Sequence, residues 1–175
     1  INYNKYIIYI MKAICVLTNN NDNIEGTIFF KKINKNLIEI DIEISGLKPG
    51  LHGIHIHRSG DLRKGCDSVC DHFNPFNVNH GNINDNKYNR HVGDLGNIRA
   101  NNNGIVKIKI LDKLITLSGK CNIIGRSIVI HELCDDLGIG GLNEQGQIVN
   151  MTTYNESIKT GNSGKRIACG VIGWL

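Results

Sequence analysis

The segment Leu37–Ile44 reads LIEIDIEI, with isoleucine at positions 38, 40, 42 and 44 and an acid at 39, 41 and 43. A repeat of two is the repeat of a β-strand with one buried and one wet face; on a helix the same isoleucines would scatter around the axis. The neighbouring segments Lys12–Thr18 and Ile24–Ile33 are also strand-like and rich in β-branched residues. Further extended stretches follow at Leu51–His57, Leu95–Arg99, Ile105–Ile110, Leu114–Ser118 and Ser127–His131, and Arg166 opens a last one, RIACGVIGWL. Turn-forming runs separate them at Asn19–Asn21, Ser45–Gly50 and Asn101–Asn103. No long amphipathic helical pattern competes. The expectation is an all-β fold of about eight strands, an antiparallel sandwich or barrel.

Two connections exceed ordinary loop length, roughly Arg58–Asp94 and Leu133–Lys165. Connections of that size are functional or disordered, and both read here as ordered functional loops on a rigid scaffold. At 175 residues the chain suits one domain. Residues 1–10, INYNKYIIYI, precede Met11 and the first strand pattern, and read as a flexible N-terminal extension; 11–175 form the domain.

Composition narrows the function classes. The net charge of +4 comes without a basic run, and aromatic residues for base stacking are few, so no nucleic-acid partner is expected. No stretch approaches the roughly 18 apolar residues of a membrane span. The N-terminus lacks a small-residue cleavage pattern, which points to the cytoplasm. Six cysteines (15, 66, 70, 121, 134 and 169) would suit a secreted disulfide framework, but Cys15 sits in an alternating strand and reads as a buried thiol.

Six of the seven histidines lie between His52 and His91, and the seventh is His131 in SIVIHE. His55 and His57 are two apart on a strand, so their imidazoles share one face and can offer two nitrogens to one ion. His52 is an odd number of positions from both and faces away. His72, His80, His91 and Asp94 supply three nitrogens and one oxygen, a closed tetrahedral set suited to Zn2+.

The stretches GIHIH, GC ahead of HFNP, NHG, RHVGDLGN, HELCDDLG and KTGNSGKRIACGVIG occur in that order. Together they resemble the signatures of the copper–zinc superoxide dismutase family, over about Met11 to Leu175. The resemblance implies a Greek-key β-barrel that converts two superoxide anions to dioxygen and hydrogen peroxide, cycling copper between Cu(I) and Cu(II) with zinc structural. It implies His55, His57, His72 and His131 as copper ligands, and His72, His80, His91 and Asp94 as zinc ligands, with His72 shared. It implies Arg166 beside copper, Asp135 linking a copper-ligand to a zinc-ligand histidine, and Glu156, Lys159 and Thr160 shaping the substrate channel. It implies a Cys66–Cys169 disulfide, a homodimer using Val171, Ile172 and Trp174, and a copper-delivery chaperone as a possible partner. Two alternatives stand beside it. A non-catalytic decoy or metal-handling relative is disfavoured because every ligand position and Arg166 are present. A structural sandwich with a lone zinc site leaves His55, His57 and His131 without a role.

The chain departs from the family pattern in three places. The His80–His91 spacing is slightly long. About a dozen residues are added near Leu142–Tyr154, expected as a solvated loop. The usual acidic pair appears as Asn155–Glu156, which removes one steering charge.

Overall fold

The computed structural model describes residues 11–17 and 23–175. The expected extension at 1–10 and the Asn19–Asn21 turn lie outside the described residues. The elements are β1 (Lys12–Leu17), β2 (Glu25–Asn34), β3 (Leu37–Ser45), β4 (Gly50–His57), β5 (Arg63–Cys66), β6 (Asp94–Ala100), β7 (Val106–Asp112), β8 (Ser127–His131), α1 (Met151–Thr160) and β9 (Arg166–Trp174).

Eight strands join in the order β6-β4-β8-β9-β1-β2-β3-β7, every pairing antiparallel. β9 links the two halves: Val171 sits opposite Ser127 of β8, while Trp174 sits opposite Ala13 of β1. The chain crosses between halves after β3 and returns after β6, which gives the Greek-key path of a nearly closed barrel.

The alternation in β3 does what its period requires. Ile38, Ile40, Ile42 and Ile44 are buried, packed with Phe30, Ile54, Ile56, Ile98 and Ile128. On the outer face Asp41 lies opposite Lys109 and Glu43 opposite Lys107, each with a 2.8 Å ion pair. Such exposed pairs help register more than stability. Ile172 belongs to this core at 0% exposure, so it offers nothing to an outer patch; Val171 at 37% and Trp174 at 55% face outward.

Three sequence expectations need correction. Leu114–Ser118 is not a strand. Asp112 Oδ1 accepts the N–H groups of Leu114 and Ile115, and Thr116 exchanges backbone bonds with Cys121 and Ile123, so the segment folds back on itself while burying Ile115 and Leu117. The short β5, inside the first long loop, carried no alternation to announce it. The added stretch is not wholly an irregular loop either. Leu142 bridges Ile148 around a tight turn, and α1 begins three residues later. Asn150 caps α1 by accepting the N–H of Thr153, and Gly161 ends it in the left-handed region at φ 69°.

Cys66 and Cys169 form a disulfide that ties β5 to β9 across 103 residues of chain. The other described cysteines, Cys15, Cys70, Cys121 and Cys134, are free thiols. Cys15 is fully buried, and burial pushes its thiol up to about 12. Closing a loop of that length disfavours the unfolded chain by about 4–5 kcal/mol in the chain-entropy account. Cys169→Ser is expected to lower unfolding free energy by several kcal/mol, read from guanidinium melts. A loss under about 1 kcal/mol would show that the bond constrains an unfolded chain already held by other means.

Candidate metal centre

β4 delivers His55 and His57 to one face, as their spacing requires, and β8 brings His131 beside them across the β4–β8 pairing. The first long loop returns through His72, which bridges the strand at His57. These four imidazoles converge, with one nitrogen from each within 4.8 Å of the others. A second buried set contains His72, His80, His91 and Asp94, so His72 belongs to both. His52 stays out. It is buried with Nδ1 2.8 Å from the His131 carbonyl and Nε2 2.8 Å from that of Lys48.

Each ring is held from outside by one nitrogen. His55 Nε2 lies 2.8 Å from Asp135 Oδ2, His57 Nδ1 2.8 Å from the Cys70 carbonyl, and His131 Nδ1 3.2 Å from the Gly164 carbonyl. His80 Nε2 lies 2.8 Å from Asp135 Oδ1. The opposite nitrogens, His55 Nδ1, His57 Nε2, His80 Nδ1 and His131 Nε2, are buried with no hydrogen-bond partner. An orphaned buried lone pair is costly unless something binds it. Three nitrogens crowd Asp94 Oδ1: His72 Nδ1 at 2.9 Å, His80 Nδ1 at 3.0 Å and His91 Nδ1 at 3.1 Å. The His80 contact has the distance but not the geometry of a hydrogen bond. Ligands about 2.0–2.1 Å from a tetrahedral zinc are spaced about 3.3–3.4 Å apart, so this set fits such an ion. The all-imidazole set suits copper.

Asp135 is the joint between the two sets. Its carboxylate serves His55 and His80, and Asn97 of β6 clamps its backbone through both side-chain atoms at 2.8 Å. The end of α1 presses on it: a Cβ at Gly161 would lie 2.1 Å from Asp135 Oδ1 and 2.5 Å from His80 Nε2. Next in sequence, Asp136 holds α1 by accepting from Ser157 Oγ at 2.6 Å, and Asn162 Nδ2 binds its other oxygen. Asp94 is secured by the N–H groups of Gly81 and His91. Buried Arg90 donates to the Asp94 carbonyl and pairs with Asp112.

A cleft of about 740 Å³ opens above His57, His72 and His131. Its wall includes Arg166, Glu156, Lys159 and Thr160, and the last three ride on α1 rather than on a loop. Arg166 Nη1 donates to the Cys66 carbonyl at 2.9 Å and Nη2 to that of Cys70 at 2.7 Å. Thr160 Oγ1 donates to Glu156 Oε1 at 2.8 Å. The structure thus gathers the expected metal ligands, Asp135, Arg166, Glu156, Lys159 and Thr160 around the histidine sets and their cleft, while Cys66 and Cys169 pack apart with Val69 and Val129. Sequence reasoning missed Asn97, Arg90 and Arg58, the last of which also lines the cleft. The carbonyls of Cys70 and Gly164 leave no side-chain signal; Arg90, beside His91 in RHVGD, could have been noticed.

The metal-free protein has a definite pH response. Burial is the largest cause holding His55, His57 and His72 below the ordinary histidine range, and it holds His131 at about 4. For His80 burial also works downward, but the adjoining carboxylates of Asp135 and Asp94 outweigh it and raise the ring to about 10. Below about pH 6.5 the unfolded chain takes up protons that four folded rings refuse, so stability falls as acid is added toward pH 4. His80 contributes oppositely, stabilising at low pH and fading as pH rises through 10. Four rings against one set the sign. The melting temperature of metal-free protein should drop between pH 7 and 5 in scanning calorimetry; a rise would mean that the folded rings bind protons.

Comparison with known proteins agrees with this geometry. The family model described as copper/zinc superoxide dismutase (SODC) matches residues 24–172, a span that holds all of the residues above. The superoxide dismutase [Cu-Zn] of Paramecium bursaria Chlorella virus 1 is 51% identical over 152 residues, 86% of this chain and 73% of that one. The extracellular superoxide dismutase [Cu-Zn] of Brugia pahangi is 49% identical over 160 residues, 91% of this chain and 74% of the relative. Superoxide dismutase [Cu-Zn] A of Xenopus laevis is 44% identical over 164 residues, covering 94% and 98%. Among solved structures, the crystal structure of the clock protein EA4 superposes with a TM-score of 0.81 at 43% identity, covering 94% of both chains. A Greek-key barrel with two converging histidine sets, matched over residues 24–172 by the family model, places this chain in the copper/zinc superoxide dismutase family.

Proposed function

We propose that His55, His57, His72 and His131 hold copper, that His72, His80, His91 and Asp94 hold zinc, and that superoxide reaches the copper set through the cleft lined by Arg166. The observation that carries this is the pattern of the rings: outer nitrogens fixed by protein acceptors, inner nitrogens buried and unpartnered. The family's reaction converts two superoxide anions and two protons to one dioxygen and one hydrogen peroxide. Copper when bound supplies the one-electron couple, and zinc supplies fixed charge without redox chemistry.

The chain's own groups do the rest. Each Nη atom of Arg166 spends one N–H on a carbonyl and keeps another, so a fixed fork of donors remains for a small anion. His72 Nδ1 faces Asp94, which leaves Nε2 for the copper side, where a proton can be held beside the anion. From there the proton can be handed to a peroxide oxygen. Asp135 fixes the orientation of His55 and His80 and holds neutral His55 in the tautomer whose inner nitrogen is free of a proton. Glu156, Lys159 and Thr160 shape the mouth.

The same reading includes a homodimer. Exposed Val171 and Trp174 support it, lying beside the Ile123–Gly125 turn that is bonded to β9 by Gly125 N–H to the Ile172 carbonyl. A copper-delivery chaperone is the partner that would load such buried nitrogens. Among the described residues no helix is long and apolar enough to cross a membrane. The cytoplasm is the compartment read from sequence; two relatives, from Brugia pahangi and Drosophila melanogaster, are named extracellular, and fractionation of the source cells separates the two.

The deciding experiment measures copper, zinc and superoxide turnover on one metal-loaded sample. Equal copper and zinc with fast turnover is expected. Both metals without turnover would indicate a metal-handling relative, and zinc alone would refute the copper set. In the same assay Arg166→Ala should keep both metals and lose on the order of 10- to 100-fold in rate. Loss of copper from that variant would contradict the role given to Arg166.

A further inference from the structure

The charge of the cleft wall turns on a residue that the reading above does not use. Its charged lining consists of Arg58, Lys159 and Arg166 against Asp71 and Glu156. Without Arg58 the wall would hold two cations and two carboxylates. With it, the wall favours anions.

Arg58 is also firmly placed. It directly follows His57, at the end of β4. Its N–H donates to the Asp71 carbonyl at 2.8 Å, and its own carbonyl accepts from Arg126 Nη1 at 2.7 Å. Arg126 is in turn stacked 3.5 Å over the Phe73 ring. The backbone is thus gripped from both sides while the side chain stands exposed on the wall. Arg166, by contrast, is tied to two carbonyls inside, and Lys159 shares α1 with Glu156.

We infer that Arg58 is a steering residue for the small anionic substrate, drawing it into the cleft before Arg166 receives it. This rests on the function proposed above. A unit charge about 10 Å from an anion in water changes its local concentration about twofold, and salt at 0.1 M or more screens that effect. Steering of this kind changes the rate of encounter and not the chemistry at the metal.

The test uses metal-loaded protein carrying Arg58→Gln, Arg58→Glu or Lys35→Glu. Lys35 lies exposed in the β2–β3 turn, outside the cleft, so its reversal changes net charge equally. At low ionic strength kcat/KM should fall about twofold for Arg58→Gln and about fourfold for Arg58→Glu, with the differences closing as salt is added. Azide affinity, read from the visible absorption of bound copper, should weaken in the same order. Lys35→Glu should leave both readouts near the wild-type values. If Arg58→Glu behaves as Lys35→Glu does, or if its effect persists at high salt, Arg58 does not steer. Azide binding tests Arg58 even if the wild-type chain shows no turnover, so the failure of this inference and that of the function can be told apart.

Discussion

One buried carboxylate holds the centre in register. Asp135 reaches a histidine of β4 with one oxygen and a histidine of the first long loop with the other. Its backbone is clamped to β6 through Asn97, and the end of α1 lies against it. Four parts of the chain, far apart in sequence, therefore share one reference point. Both rings receive their orientation from it, so the two histidine sets cannot drift independently. An acid in this position is tolerable inside the protein because its oxygens are fully engaged, each by a ring nitrogen, with the Leu137 N–H added at 2.7 Å.

The barrel explains why such a centre can be dry and still open on one side. Isoleucines from opposite halves fill the interior, while the site sits outside it, on the strands β4 and β8 and under two long connections. Rigid strands supply three of the imidazoles, and the loops supply the remainder together with the cleft wall. The disulfide brings the first loop to β9, and Arg166 at the start of that strand leans on two carbonyls of the same loop. The Arg166 cation on the cleft wall and the loop that places it are thereby parts of one clamp.

Much of this was legible in the sequence, for stated reasons. A period of two exposes strands that have one wet face, and β3 is the clearest because its outer acids alternate without interruption. The His-x-His pair and the set of His72, His80, His91 and Asp94 were legible as chemistry, and the sharing of His72 came only with the family resemblance. The failures are equally physical. Ile115 and Leu117 alternate in burial with no ladder beside them, so the pattern of a strand arose from a turn held by Asp112. α1 was hidden because its stripe is weak: Ser157 is its one buried residue, held by a hydrogen bond rather than by apolar packing. The carbonyls that aim His57 and His131 belong to the backbone, which sequence does not distinguish from any other peptide group.

The left-handed Gly161 gives the second long connection a direction. Its far end is immovable, since even one methyl group there would strike the carboxylate and a ring of the centre. Its middle, around Asn143–Gln147, makes its hydrogen bonds within a small closed turn. Added residues can therefore accumulate upstream of the helix without disturbing what lies downstream. The connection is anchored on both sides, at Asp135 and at Gly161, and its length is a free variable only between those anchors.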